Sequence, residues 1–223
     1  MTLPAEQFAA LSALGGVRHA FTTRVAGIEV QADKAEALRR LDKVHQEVRV
    51  AYAVGERALA TAEQVHGNSI GIVDTPLPRD ECFARCDGLI TNQPDVCLGI
   101  YVADCCAVYL VDQARAAIGL VHSGRKGTEL RIVSNAIELM TEKFGSHASD
   151  LVVQLSPCIR PPHYEVDFAA EIVASCRDSG VHNVYDSGLC TACDLERYYS
   201  YRAEKGKTGR MMAMLAISDS SER

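Results

Sequence analysis

A chain of 223 residues, 48% of them hydrophobic, is long enough to bury a substantial core and suits one large domain. No apolar run reaches the roughly 20 residues of a membrane span, and the opening MTLPAEQFAALSALGG lacks the basic start and cleavage site of a secretory signal, so a cytoplasmic protein with no membrane partner is expected. A net charge of -6 without a Lys/Arg-rich block argues against nucleic acid as a partner. The nine cysteines are odd in number and irregular in spacing, which points to buried, ligand or catalytic thiols rather than a disulfide framework. Cys82 with Cys86 and Cys190 with Cys193 form two near pairs, but too much chain divides them for a stereotyped structural zinc site.

Taken in order, residues 17–21 read as a first strand and end in the polar turn Thr22, Thr23, Arg24. Residues 31–53 have helical character, with Ala35, Leu38, Leu41, Val44 and Val48 recurring at steps of three and four. A strand is expected over 69–73, and Pro76 and Pro78 mark a loop running to Cys86. The stretch 86–127 then organises the chain, with strands expected over 97–103, 107–112 and 116–121. Thr128 is the expected N-cap and Gly145 the expected stop of a helix whose stripe is Leu130, Val133, Ile137, Met140 and Phe144. A strand over 150–155, a helix from an Asp167 cap to Arg177, a helix over 194–205 and a strand over 210–217 complete the chain, with 218–223 frayed. One mixed α/β domain without repeats is the simplest account.

Three chemically capable residues sit at element boundaries: His66 before a strand, Cys105 after one and His122 after another. Two imidazoles and a thiolate suit Zn²⁺ or copper and leave a fourth position open. Separations of 39 and 17 positions form no local motif, so buried packing residues and a metal-free Cys105 nucleophile with a His122 or His66 base remain open. Cys106 points to the opposite face from Cys105 and reads as a core thiol. The turn Ser123, Gly124, Arg125, Lys126, Gly127 lies between a strand and a helix, where glycines, amides and two cations suit an anion or simply a solvated turn. Arg24, Asp87, Asp104, Tyr164, Arg202 and Arg210 lie at strand ends or in loops, where each alone is more often a surface or capping group.

Gln64-Val65-His66-Gly67, Cys86-Asp87-Gly88-Leu89-Ile90-Thr91, Ala103-Asp104-Cys105 and His122-Ser123-Gly124 resemble, in order and spacing, the YfiH-type polyphenol oxidase (laccase-domain) family. Ser156-Pro157-Cys158-Ile159, Tyr164-Glu165-Val166, Ser200-Tyr201-Arg202 and Thr208-Gly209-Arg210 extend the resemblance to the C-terminus. It implies an α+β fold, mixed β-sheets layered with helices in one domain over residues 1–223. It also implies one metal, zinc or alternatively copper, on His66, Cys105 and His122. Members are associated with phosphorolysis of adenosine, inosine and methylthioadenosine and with deamination of adenosine; others are described as copper-dependent polyphenol oxidases, and one branch is linked to peptidoglycan precursors. The expected site is therefore Cys105, His122, Asp104 and Asp87 as catalytic groups, with Arg24, Arg125, Lys126 and Arg202 on substrate and phosphate. The expected partners are a purine nucleoside and phosphate, bound by a monomer. Arg125 and Lys126 stand where the family carries tryptophan and arginine, and this chain has no Trp. A metal-free cysteine amidase and a non-catalytic binding protein are the competing readings.

Overall fold

The computed structural model describes residues 3–54 and 57–218. Along the chain it contains β1 (Ala5–Glu6), α1 (Ala9–Ser12), β2 (Val17–Thr22), α2 (Lys34–Ala51), β3 (Ala58–Ala62), β4 (Ile70–Val73), β5 (Glu81–Phe83) and β6 (Gly88–Thr91). There follow β7 (Val96–Val102), β8 (Cys106–Asp112), β9 (Ala117–Ser123), α3 (Arg125–Glu129), α4 (Ile132–Phe144), β10 (Val152–Leu155), α5 (Phe168–Asp178), β11 (Asn183–Asp186) and β12 (Met211–Ile217). The strands form two mixed six-stranded sheets, ordered β1-β2-β12-β7-β3-β5 and β11-β10-β8-β9-β6-β4.

The sheets pack face to face. Phe21, Leu98, Ile100 and Leu215 of the first meet Leu89, Tyr109 and Leu120 of the second in one core. The outer face of the first sheet buries Leu59, Met212 and Met214 against Val48 of α2. The outer face of the second buries Ile90, Val108, Leu110 and Val153 against Ile137 and Met140 of α4 and Ile172 of α5. The order is helix, sheet, sheet, helix, so the central strands have no wet face. That is why β8, β9 and β12 are buried at every position and read as continuous apolar runs rather than alternating ones. The expected α+β fold of layered mixed sheets is the one observed.

Three local expectations give way to tertiary contacts. Residues 194–205 form turns, not a helix, because Asp194 caps a tight turn at Arg197, Tyr198 and Tyr199 are drawn into the core, and the Arg202 amide is taken by Asp104. Thr128 does not cap the long helix; its hydroxyl bonds back to the Gly124 carbonyl inside the short α3. Arg131, with φ of 58°, then breaks the chain before α4 starts. The loop expected up to Cys86 contains β5, which pairs parallel to β3. Gly145 stops α4 as expected, in the left-handed conformation that glycine tolerates. The expected frayed end beyond Ser218 lies outside the described residues.

Leu98 is fully buried between the sheets, whereas Val50 on α2 is 72% exposed. Leu98→Ala is expected to lower unfolding stability by about 2–5 kcal/mol, and Val50→Ala by no more than about 0.5 kcal/mol. Urea titration with an unchanged slope checks both.

Candidate metal centre and substrate cavity

His66, Cys105 and His122 come from two loops and a strand end, and their ligand atoms all lie within 4.8 Å of one another. His66 follows β3, Cys105 immediately precedes β8, and His122 is the last but one residue of β9 rather than beyond the strand as expected. The two imidazoles meet edge to face, with ring centroids 4.9 Å apart. What gathers them is Asp87, whose side chain is wholly buried. Its Oδ1 accepts from His122 Nδ1 at 3.0 Å and from the His66 amide at 2.8 Å. Its Oδ2 accepts from the amides of Gly67 at 2.7 Å and Val65 at 3.2 Å.

The backbone around the cluster is held in an unfavourable conformation. Gln64, His66 and Asp104 have φ of 63°, 59° and 84°, a region that costs an L-residue roughly 1–2 kcal/mol. Each is fixed by specific bonds. The Gln64 side chain pairs with Tyr101 like a strand neighbour, donating to its carbonyl at 2.6 Å and accepting from its amide at 3.0 Å. Asp104 receives Thr191 Oγ1 and the Arg202 amide, each at 2.7 Å. Such conformations persist where the surroundings over-determine them, and they gather at functional sites.

The donor set fits a metal ion. The Asp87 bond commits His122 Nδ1 and leaves Nε2 available, the second-sphere arrangement usual for a ligating histidine. Gly124 makes room for the sulfur, since a Cβ there would lie 2.5 Å from Cys105 Sγ. Without a metal, burial opposes ionisation of Cys105, but the charge and hydrogen bond of His122 and a hydrogen bond from His66 outweigh it and bring the thiol to about 6. Burial likewise disfavours the His122 cation, yet Cys105 and Asp87 raise it to about 9. Burial also opposes ionisation of Asp87, and its bonds from His122, Gly67 and His66 bring it down to about 2. The metal-free site is therefore a thiolate beside an imidazolium.

The cluster opens into a cavity of about 880 Å³, at the upper end of the size range of small-molecule sites. Tyr101, Tyr164, Phe168 and Tyr201 supply its aromatic surface. Arg125, Lys126 and Arg202 line it. Arg125 is bound to Glu129 at 2.9 Å and lies 3.7 Å from Glu165, which also holds Arg202 at 2.6 Å.

Arg24 is the exception. It does not line the cavity: it bonds Glu204 at 2.7 Å and the Tyr198 carbonyl at 3.1 Å, and it stacks 4.5 Å over Tyr199. The first strand runs beside the C-terminal segment, and Arg24 fastens the two. Asp87 and Asp104, expected to move protons, have both carboxylate oxygens occupied and hold backbone in place. Sequence reasoning passed over Lys34, Gln64, Tyr201 and Lys205 as cavity residues. Only Gln64 and Tyr201 carried a signal, as members of quoted motifs. The two cysteine pairs do not converge into a further metal cluster among the described residues, and Cys106 is a fully buried thiol 3.7 Å from the Ser156 carbonyl.

The model of a family described as multi-copper polyphenol oxidoreductase laccase matches residues 12–175 and 167–218. The chain belongs to this family. A purine nucleoside phosphorylase of Deinococcus radiodurans is 31% identical to this laccase-family chain over 237 residues, covering 90% of the chain and 89% of that protein. The purine nucleoside phosphorylase YlmD of Bacillus subtilis is 30% identical over 164 residues, which is 60% of this chain and 59% of the length of YlmD. Two solved structures share the fold. YlmD from Geobacillus stearothermophilus has a TM-score of 0.84 at 22% identity, covering 98% of this chain and all of that one. Bacillus licheniformis YfiH has a TM-score of 0.80 at 23% identity, covering 91% and 93%.

Asp87→Asn removes the charge that orients His122 while keeping the shape. It is expected to weaken zinc binding about 10–100-fold without unfolding the protein, as measured by competition with a chromogenic chelator. Binding a metal to thiolate and neutral imidazole expels the His122 proton between pH of about 6 and 9, and a second from Cys105 below about 6. Zinc affinity should then fall about tenfold per pH unit on going down from 9 to 6, and at least about a hundredfold per unit below that. The same competition assay, repeated across pH, reads both slopes.

Proposed function

We propose that this chain is a metal-dependent purine nucleoside enzyme, cleaving adenosine, inosine or methylthioadenosine with phosphate and deaminating adenosine. The observation that carries this is the opening of the His66, Cys105 and His122 cluster directly into a cavity walled by aromatic rings and cations. Relatives described as purine nucleoside phosphorylases support it. Two imidazoles and one thiolate favour zinc over harder ions, with copper the alternative. A metal held there by His66, Cys105 and His122 would supply Lewis acidity and a water of lowered pKa.

The chain's own residues bind and orient. The flat faces of Tyr164 and Tyr201 suit a purine base, and Lys126 on the cavity wall suits the phosphate that attacks ribose C1′ as the bond to the base nitrogen breaks. Deamination adds water at C6 of adenine and releases ammonia. Asp87 keeps His122 in place throughout, and Asp104 ties the cluster to the segment carrying Arg202. The enzyme acts as a cytoplasmic monomer on this small-molecule substrate. Among the described residues no helix is long and apolar enough to cross a membrane.

A metal-free cysteine hydrolase, for example an amidase on a peptidoglycan precursor, is the second reading. It is favoured by the Cys105 thiolate beside an imidazolium that Asp87 orients, the arrangement of an activated nucleophile. A laccase-type oxidase relays electrons through several coppers, whereas the described residues form one metal-ligating cluster.

Metal analysis of the purified protein, read beside incubation with adenosine, separates these. We expect one zinc per chain, adenine and ribose 1-phosphate only when phosphate is present, and inosine with ammonia when it is absent. Both activities should disappear on chelation and in His122→Ala. Activity that survives chelation but not thiol alkylation would replace this reading with the cysteine hydrolase.

A further inference from the structure

The cavity is cationic in an acidic chain. Six cations line it, among them Lys34, Lys205 and Arg210, against the carboxylates of Asp104 and Glu129, although the whole chain carries a net charge of -6. Those carboxylates are already engaged, Asp104 by Thr191 and the Arg202 amide and Glu129 by Arg125. Arg125 and Arg202 also share Glu165.

Lys34 and Arg210 are different. Lys34 is the first residue of α2, and Arg210 directly precedes β12; the fold brings both to the lining of the cavity. Among the described residues neither forms an ion pair. Lys34 Nζ reaches only the Glu63 carbonyl, at 3.4 Å, and Arg210 Nη1 donates to the carbonyls of Thr208 and Gly209 at 2.8 and 2.9 Å. Those two bonds, and the Tyr201 ring 5.7 Å away, fix the guanidinium, and among the described residues Nε and Nη2 have no hydrogen-bond partner. Burial and the Arg210 charge both lower the proton affinity of Lys34, so the two cations are close enough to repel. The carboxylates within electrostatic reach, Glu63 and Asp87 for Lys34 and Asp104 and Glu204 for Arg210, are bonded to other groups. Cations left unpaired in one cavity are stabilised when an anion bridges them, and a fixed guanidinium edge matches phosphate geometry. Arg210 also lies within electrostatic reach of Cys105, which puts this pair beside the metal-ligating cluster.

We propose that Lys34 and Arg210 form a second anion subsite that takes a phosphate group carried by the nucleoside itself, so that the preferred substrate is a nucleoside monophosphate. The proposal rests on the purine reading above and narrows its substrate class. Lys126 remains for the inorganic phosphate that attacks. The cavity volume of about 880 Å³ accommodates both anions together with the base and ribose.

Isothermal titration calorimetry on the purified full chain tests this with three probes: adenosine, adenosine 5′-monophosphate and inorganic phosphate. Wild-type protein is expected to bind the monophosphate at least about tenfold more tightly than adenosine, a difference typical of a charge-assisted contact. Lys34→Gln and Arg210→Gln should each bring that ratio close to one. A ratio near one in the wild type, or a ratio untouched by Lys34→Gln, overturns the proposal. Two inorganic phosphates bound without any preference for the monophosphate would assign the subsite to free phosphate and overturn the substrate class. If neither purine binds, the purine reading fails by itself. The phosphate count then decides the subsite: two sites falling to one in Arg210→Gln uphold it, and an unchanged count overturns it.

Discussion

The buried carboxylate of Asp87 is the interaction on which the site depends. Four donors converge on two oxygens: the imidazole of His122 and three successive amides of Val65, His66 and Gly67. A carboxylate without solvent is stable only when its acceptor capacity is filled, and filling it here sets the position of both histidines at once. The same bonds offset the cost of the left-handed backbone at His66. Removing any one donor would leave the others bonded, whereas removing the carboxylate itself releases all of them.

The fold supplies the anchor points. The His66 turn follows a strand of one sheet, while Asp87 and His122 belong to neighbouring strands of the other, with the His122 amide bonded to the Asp87 carbonyl at 2.7 Å. Cys105 sits on the link where β7 of the first sheet passes to β8 of the second. The cluster therefore straddles the junction of two sheets whose shared core is fully packed. A site built on strand ends inherits the rigidity of the strands, and the substrate side is completed by the short helix α3 and by turns. Arg125 and Lys126 lie on α3 and Lys205 lies in a turn.

Much of this was legible in the sequence, for physical reasons. Strands buried on both faces write themselves as apolar runs, so β7, β8, β9 and β12 were foreseen within a residue or two. The three candidate ligands were visible because each stands at the end of such a run or within a motif that resembles the family's. What could not be read was whatever depends on contacts distant in sequence. β3, with the weak strand formers of ALATA, is a strand because β7 and β5 pair with it on either side. The segment around Tyr198 and Tyr199 carries helical spacing but is drawn into turns by the core and by Asp104. Asp87 looked like a proton-transfer group because nothing local reveals that its partners lie 20 or more positions away. Arg24 looked like a substrate ligand until the C-terminal segment supplied Glu204.

X-ray absorption spectroscopy of the zinc-reconstituted protein tests the central claim most directly, because it reads the ligand atoms themselves. The account requires one sulfur at about 2.3 Å and two imidazole nitrogens at about 2.0–2.1 Å, with a light atom at the remaining position. A first shell without sulfur, or with two sulfurs, would contradict the assignment of His66, Cys105 and His122 as the metal centre.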